Sequence, residues 1–224
     1  MSQNKQNVSS TTTSGSKKSF FQENERSIIF IVVGVIVLIL LYIGYQKLYL
    51  APRAEKAAAE MYQAEQYATV DSLQKKAIEG DGSFAGFKEI ADEYSNTKSA
   101  NIANAYLGGL YLRQKNFKEA IKYLEQYSET GSAILDPLVI GLLGDAYSEE
   151  KIYDKAANFY KKAAEKSSNT FTTPVFLKKL GLVYEELQDY KNAEATYEKI
   201  RNDFPESAEA TTIDSFIARV QAKQ

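Results

Sequence analysis

Paired carboxylates are the residues in this 224-residue chain whose type and spacing come nearest to a reactive site: Glu149 with Glu150, and Glu185 with Glu186. Two carboxylates that converge can act as general acid and base or hold a metal, and a metal-bound enzyme built on these glutamates is one rival reading. Adjacent positions on a helix, however, diverge by about 100° and do not meet in one shielded pocket. Both pairs therefore read as solvated helix surface. The chain contains neither cysteine nor histidine, which removes Ser-His-Asp and Cys-His nucleophiles, Cys/His zinc sites and disulfides. No G-x-x-x-x-G-K-[ST] phosphate loop occurs, and Gly108-Gly109 falls inside a predicted helix. With 27 Lys+Arg against 29 Asp+Glu the net charge is −2, so there is no basic footprint for nucleic acid. The expectation is a non-enzyme without catalytic, cofactor-binding or metal-binding residues, and without a small-molecule substrate.

The elements that would position any site come from a pattern that recurs three times. Leu107, Gly108 and Tyr111 are followed by Ala120; Leu143, Gly144 and Tyr147 by Ala156; Leu180, Gly181 and Tyr184 by Ala193. An aromatic opens each second helix at Phe117, Tyr153 and Tyr190, and a large apolar residue follows each alanine at Leu124, Tyr160 and Tyr197. This pattern resembles the tetratricopeptide repeat, whose usual period is about 34 residues. Here the glycines are 36 and 37 residues apart, so the connecting turns must absorb the excess. Gly and Ala permit two antiparallel helices to cross closely while Leu and Tyr fill the surrounding gaps, and each hairpin leaves an apolar face for its neighbour to cover. The tryptophan position of the motif reads Asn104, Ile140 and Leu177. Most of the 16 tyrosines fall at core positions and are expected to pack.

The fold class is all-α: an N-terminal transmembrane helix, an α-solenoid of hairpins and a C-terminal capping helix. Only 12 Gly and 4 Pro agree with a helical chain. Residues 1–26 are polar and read as a disordered tail. Residues 27–46 carry no charge and are long enough to span a bilayer; a cleavable signal peptide fits less well, because its apolar run is usually shorter. Lys17, Lys18 and Arg26 before the span balance Lys47, Arg53 and Lys56 after it, so charge leaves the orientation open. Residues 47–80 are expected to form a long membrane-proximal helix, with Ala54, Ala57, Met61, Ala64 and Ala68 on one stripe that packs on the next hairpin or on a partner. Residues 81–206 hold the repeats, at about 99–131, 135–168 and 172–205 plus a degenerate leading unit. Residues 207–224 are the capping helix.

Carrying the repeat register onto the inner surface gives a candidate protein-binding groove. It comprises Ala105, Gly109, Leu112, Arg113, Gly141, Asp145, Ser148, Glu149, Lys178, Leu182, Glu185 and Glu186. Arrays that clamp the carboxylate tail of a chaperone peptide use Lys and Asn at such positions, whereas this register supplies Ala105 and Gly109. Extended segments or a partner domain are the better ligands. The order of tail, span, Ala/Glu/Lys helix and repeats, with Phe87, Tyr94, Ala100, Ala103, Leu107, Gly108, Tyr111 and Ala120, resembles the YfgM-type family of bacterial inner-membrane tetratricopeptide proteins. That resemblance implies a cytoplasmic N-terminus, a periplasmic repeat domain, and association with the Sec translocon and a membrane-anchored periplasmic peptidyl-prolyl isomerase-like chaperone. The chain would then be an accessory to protein export. The alternative is a membrane-anchored scaffold for another envelope complex, such as a division or secretion apparatus.

Overall fold

The computed structural model describes residues 24–166 and 168–224, and the chain divides into two compact units, 1–49 and 50–224. In the first unit, helix α1 (Glu25–Gly44) continues as a π-helical segment, Tyr45–Leu50. Its large apolar side chains from Ile29 to Ile43 are exposed. It contains the one segment among the described residues that is long and apolar enough to cross a membrane, with a mean hydropathy of 3.1 over its most apolar window. Twenty helical residues rise about 30 Å, the thickness of a hydrocarbon core. At the C-terminal end the Tyr45 and Tyr49 rings stack with centroids 5.4 Å apart, and Gln46 Nε2 donates to the Tyr42 hydroxyl at 3.1 Å. The expected polar tail lies outside the described residues as far as 23, and α1 begins at Glu25, inside the boundary drawn from sequence.

The second unit is helical throughout its described residues: α2 (Ala51–Ala68), a 3₁₀ turn (Asp71–Leu73), α3 (Gln74–Glu79), α4 (Phe87–Glu93), α5 (Lys98–Arg113), α6 (Phe117–Leu124), α7 (Leu135–Glu149), α8 (Tyr153–Lys166), α9 (Thr173–Glu186), α10 (Tyr190–Asp203) and α11 (Ala210–Gln221). The helix expected to run unbroken to residue 80 stops at Ala68. Thr69 and Val70 are β-branched, Thr69 Oγ1 turns back onto the Gln66 carbonyl at 2.8 Å, and Val70 is extended at φ −112°, ψ 117°. Side chains of this kind offer the backbone an alternative to the next helical turn. Asp71 then accepts from Gln74 Nε2 at 2.9 Å, and the chain resumes as α3 until Gly80 ends it at φ +83°. The alanine stripe nonetheless packs inward: Ala57, Met61, Ala64 and Ala68 are buried within this unit.

Three hairpins follow, α5/α6, α7/α8 and α9/α10, and each is closed at the same point. A Cβ on Gly108 would overlap Leu124, one on Gly144 would stand 2.6 Å from the Tyr160 ring, and one on Gly181 would overlap Tyr197. The small residue of the motif thus meets the large residue 16 positions later across the helix crossing, which is why both recur together. The turn between the two helices is also repeated. Lys115, Lys151 and Gln188 sit at φ 58°, 59° and 58°. The following N–H reaches back to Tyr111, Tyr147 and Tyr184 respectively, at 2.8 to 2.9 Å. This is the Schellman closure with a non-glycine at the left-handed position. Successive hairpins pack on one another and α11 packs on α10.

Candidate interaction groove

Helix α5 carries two adjacent glycines with different surroundings. Gly108 faces its own hairpin, whereas Gly109 looks into open space, with only Leu142 Cδ1 within 4 Å of a Cβ placed there. Together with Ile102, Ala105 and Leu112 it forms a stripe at spacings of three and four, one face of a helix. That stripe is the floor of a cavity of about 1110 Å³ whose walls are the end of α2 (Glu65, Gln66, Ala68, Thr69) and the face of α7 (Leu135, Leu138, Val139, Leu142, Asp145, Ser148, Glu149). Tyr106 borders it, stacked flat on Phe87 with centroids 4.7 Å apart; burial, then the Glu65 carboxylate, pushes its hydroxyl above the usual range. The rim is held by ion pairs. Arg113 bonds Asp71 and so anchors the 3₁₀ turn to α5. Asp145 accepts from the Tyr160 hydroxyl at 2.7 Å and from Lys179 Nζ at 2.6 and 2.8 Å, which joins α7 to α9. Burial, then Asp145, drives the Tyr160 hydroxyl far above its ordinary pKa, so it stays a donor.

Seven residues chosen by register, Ala105, Gly109, Leu112, Arg113, Asp145, Ser148 and Glu149, line this groove. Five others do not. Gly141, equivalent to Ala105, lies under the Phe176 ring, which fills the space where a groove would continue. Lys178 stands 4.8 Å from the Phe216 ring and donates to Thr212 Oγ1 at 3.4 Å, against α11. Leu182 and Glu186 are exposed beyond its margin. Glu185 is taken up by α11: it accepts from Arg219 Nε at 3.0 Å and Nη2 at 2.5 Å and from the Tyr197 hydroxyl at 2.7 Å. Burial raises the Glu185 carboxyl, but Arg219, Tyr197 and Lys223 outweigh it and hold the pKa below the usual carboxylate value. The register missed the wall contributed by α2 and the apolar Ile102, Tyr106, Leu138 and Leu142. Extending the repeat to its degenerate leading unit would have found the α2 wall. Among the described residues no group of three or more Asp and Glu is placed to hold a metal.

Stacked helical hairpins with an apolar cleft framed by charged residues define the class: a protein-interaction scaffold. Models of the tetratricopeptide repeat match residues 103–129, 139–168 and 179–207, so the hairpins are tetratricopeptide repeats. No curated protein matches the chain significantly. Among solved structures, that of BtubC (BKLC) from P. vanneervenii is similar at 16% identity with a TM-score of 0.44, over 78% of this chain and 66% of that one. The alignment therefore spans just under two thirds of BtubC.

Proposed function

We propose that this chain is a single-pass, non-catalytic scaffold of the bacterial inner membrane whose repeats form an α-solenoid capped by α11. Its groove between α2, α5 and α7 takes a polypeptide segment from a partner. The observation that carries this reading is the groove itself: an apolar floor of Ile102, Ala105, Gly109 and Leu112 in a cleft of about 1110 Å³. The resemblance to the YfgM-type family supports the finer form of the proposal. In it the N-terminus is cytoplasmic, the repeats are periplasmic, and the partners are the Sec translocon and a membrane-anchored isomerase-like chaperone.

A photo-crosslinking amino acid at Leu142 in the full chain, in living cells, tests the groove and its occupant together. Adducts with translocon or chaperone subunits, lost when Gly109→Leu fills the floor, are the expected result. Adducts confined to a division or secretion complex would transfer the scaffold to that assembly. Adducts unaffected by Gly109→Leu would remove the groove as the binding site. Digestion of the repeats by protease in intact spheroplasts is the expected topology; protection there with digestion after lysis would reverse the orientation.

A further inference from the structure

Phe171 is 77% exposed, the most exposed large apolar side chain of the described residues between Leu50 and Gln224. The turn that presents it is built. Asn169 Oδ1 accepts from the Phe171 and Thr172 N–H groups at 2.9 and 2.7 Å, its Nδ2 donates to Thr172 Oγ1 at 2.7 Å, and Thr172 and Thr173 are buried. The same Nδ2 reaches the Ala133 carbonyl at 3.3 Å, tying this turn to the preceding inter-hairpin loop. Ile134 and, one helical turn on, Leu138 are exposed there at 46% and 43%. Residues 130–134 and 168–172 contain no charge, and the flanking Glu129 and Lys166 neutralise each other as an ion pair. The opposite edge of the hairpins also exposes apolar residues, Ile152 and Leu187, but among Lys115, Glu150, Lys151, Asp154, Asp189 and Lys191. Charges at that density must be desolvated before such an edge can enter an apolar phase.

Topology says which surface these two uncharged loops meet; the same edge carries charges farther along it, at Arg53, Lys56, Glu93, Lys98, Asp203 and Glu206, which suit contact with headgroups and not insertion. In a run of hairpins every first helix begins at one edge, so α2, α5, α7 and α9 all start on the side of these two loops. The start of α2 is fastened beside the end of α4 by the Arg53 guanidinium, which donates to the Glu93 carbonyl. The chain thus enters the unit at that edge, at Leu50, directly after the apolar span. We propose that this edge rests on the bilayer in which the chain is anchored, with the Phe171 ring inserted between headgroups and acyl chains and Ile134 beside it. The inference rests on the reading of α1 as a membrane span. Shallow insertion of an aromatic and a neighbouring aliphatic side chain is favourable at such a boundary, and the neutral Ser/Thr backbone around them suits the headgroup layer.

The chain has no tryptophan, so Phe171→Trp makes a single fluorescent reporter at an exposed position. Full-length protein carrying Phe171→Trp is placed in phosphatidylcholine nanodiscs with plain or brominated acyl chains, alongside Leu38→Trp in α1 and Ile152→Trp on the far edge. The expected result is that Phe171→Trp and Leu38→Trp each lose about half or more of their emission in brominated lipid, while Ile152→Trp keeps its own. Quenching of Leu38→Trp without quenching of Phe171→Trp overturns the membrane-contact proposal and leaves the anchor standing. Quenching at neither position removes the anchor itself, and the contact with it. Quenching of Ile152→Trp as strongly as Phe171→Trp overturns the assignment of this edge.

Discussion

The two halves of the repeat unit build their inner faces on equivalent positions and reach opposite results. Between α2, α5 and α7 the cleft stays open: Ala105 lines it while itself buried, and a Cβ on Gly109 would meet only Leu142 at 3.9 Å. Between α7, α9 and α11 the Phe176 ring lies over Gly141 and Arg219 bonds Glu185. The residue equivalent to Phe176 in the preceding hairpin is Val139, too small to fill the same space. The repeat motif therefore specifies how each hairpin closes, while residues outside the motif decide whether the surface between hairpins is available to a partner.

The sharpest way to break this comparison is to add one methyl group at each kind of glycine. Gly181→Ala drives a Cβ into the Tyr197 ring, which is fully buried and has no room to move. A loss of about 3 kcal/mol, or a fall in Tm of about 6–12 °C, is expected. Gly109→Ala meets only a van der Waals contact at 3.9 Å, and should stabilise α5 by up to about 1 kcal/mol through helix propensity. Thermal melts of the two variants check both signs. Equal losses at Gly181 and Gly109 would mean that the open face is not open.

The motif glycines, the aromatics that open the second helices and the crossing partners Leu124, Tyr160 and Tyr197 were legible because each answers to a local rule that recurs in register. The groove was legible only in its first half. Ala105 and Gly141 are both buried, but whether the space beside them is filled depends on the bulk of one residue on the next hairpin, Val139 or Phe176, and on partners 34 positions on, such as Lys179 for Asp145 and Arg219 for Glu185. Periodicity assigns faces and carries no information on such volumes. The break after Ala68 was hidden for a related reason: the alanine stripe continues in phase, and only the competition of Thr69, Val70 and Asp71 for the backbone ends the helix.

Glu185 sharpens the comparison from the closed side. Its side chain is only 10% exposed and bridges Tyr197 on α10 to Arg219 on α11. Glu185→Gln leaves Arg219 without its charge partner and should cost about 2 kcal/mol at neutral pH. The folded pKa of Glu185 is lowered, so its stabilisation is fully present above the unfolded value of about 4.3 and is lost as pH falls through the lower folded value. Denaturation curves of wild type and Glu185→Gln should therefore differ at pH 7 and draw together below about pH 4. A gap that persists in acid would mean that packing, and not the charge, holds α11.

A smaller effect of opposite sign is expected on the open side, at Asn104. Its Oδ1 is buried without a hydrogen-bond partner among the described residues, whereas the equivalent position of the third hairpin holds the buried Leu177. An orphaned acceptor costs more than the apolar group that could replace it. Asn104→Leu should gain about 1 kcal/mol in a urea titration with an unchanged slope. A loss would mean that the carbonyl is satisfied by a buried water, and the half of the unit that looks less finished would be hydrated instead.

The smallest effect concerns what the two halves share. Lys115, Lys151 and Gln188 all hold the left-handed position of the same turn, one in each hairpin. A side chain in that conformation costs about 1–2 kcal/mol. Glycine relieves it but loses most of the gain to unfolded-chain entropy of about 0.5–1 kcal/mol. Each of Lys115→Gly, Lys151→Gly and Gln188→Gly should therefore stabilise by about 0.5 kcal/mol, and by the same amount in the open and closed halves. Distant sites without shared partners add, so the triple variant should show the sum in a chemical melt. A gain at Gln188 with none at Lys115 would show that the turns are not equivalent, and that the difference between the halves reaches into the hairpins themselves.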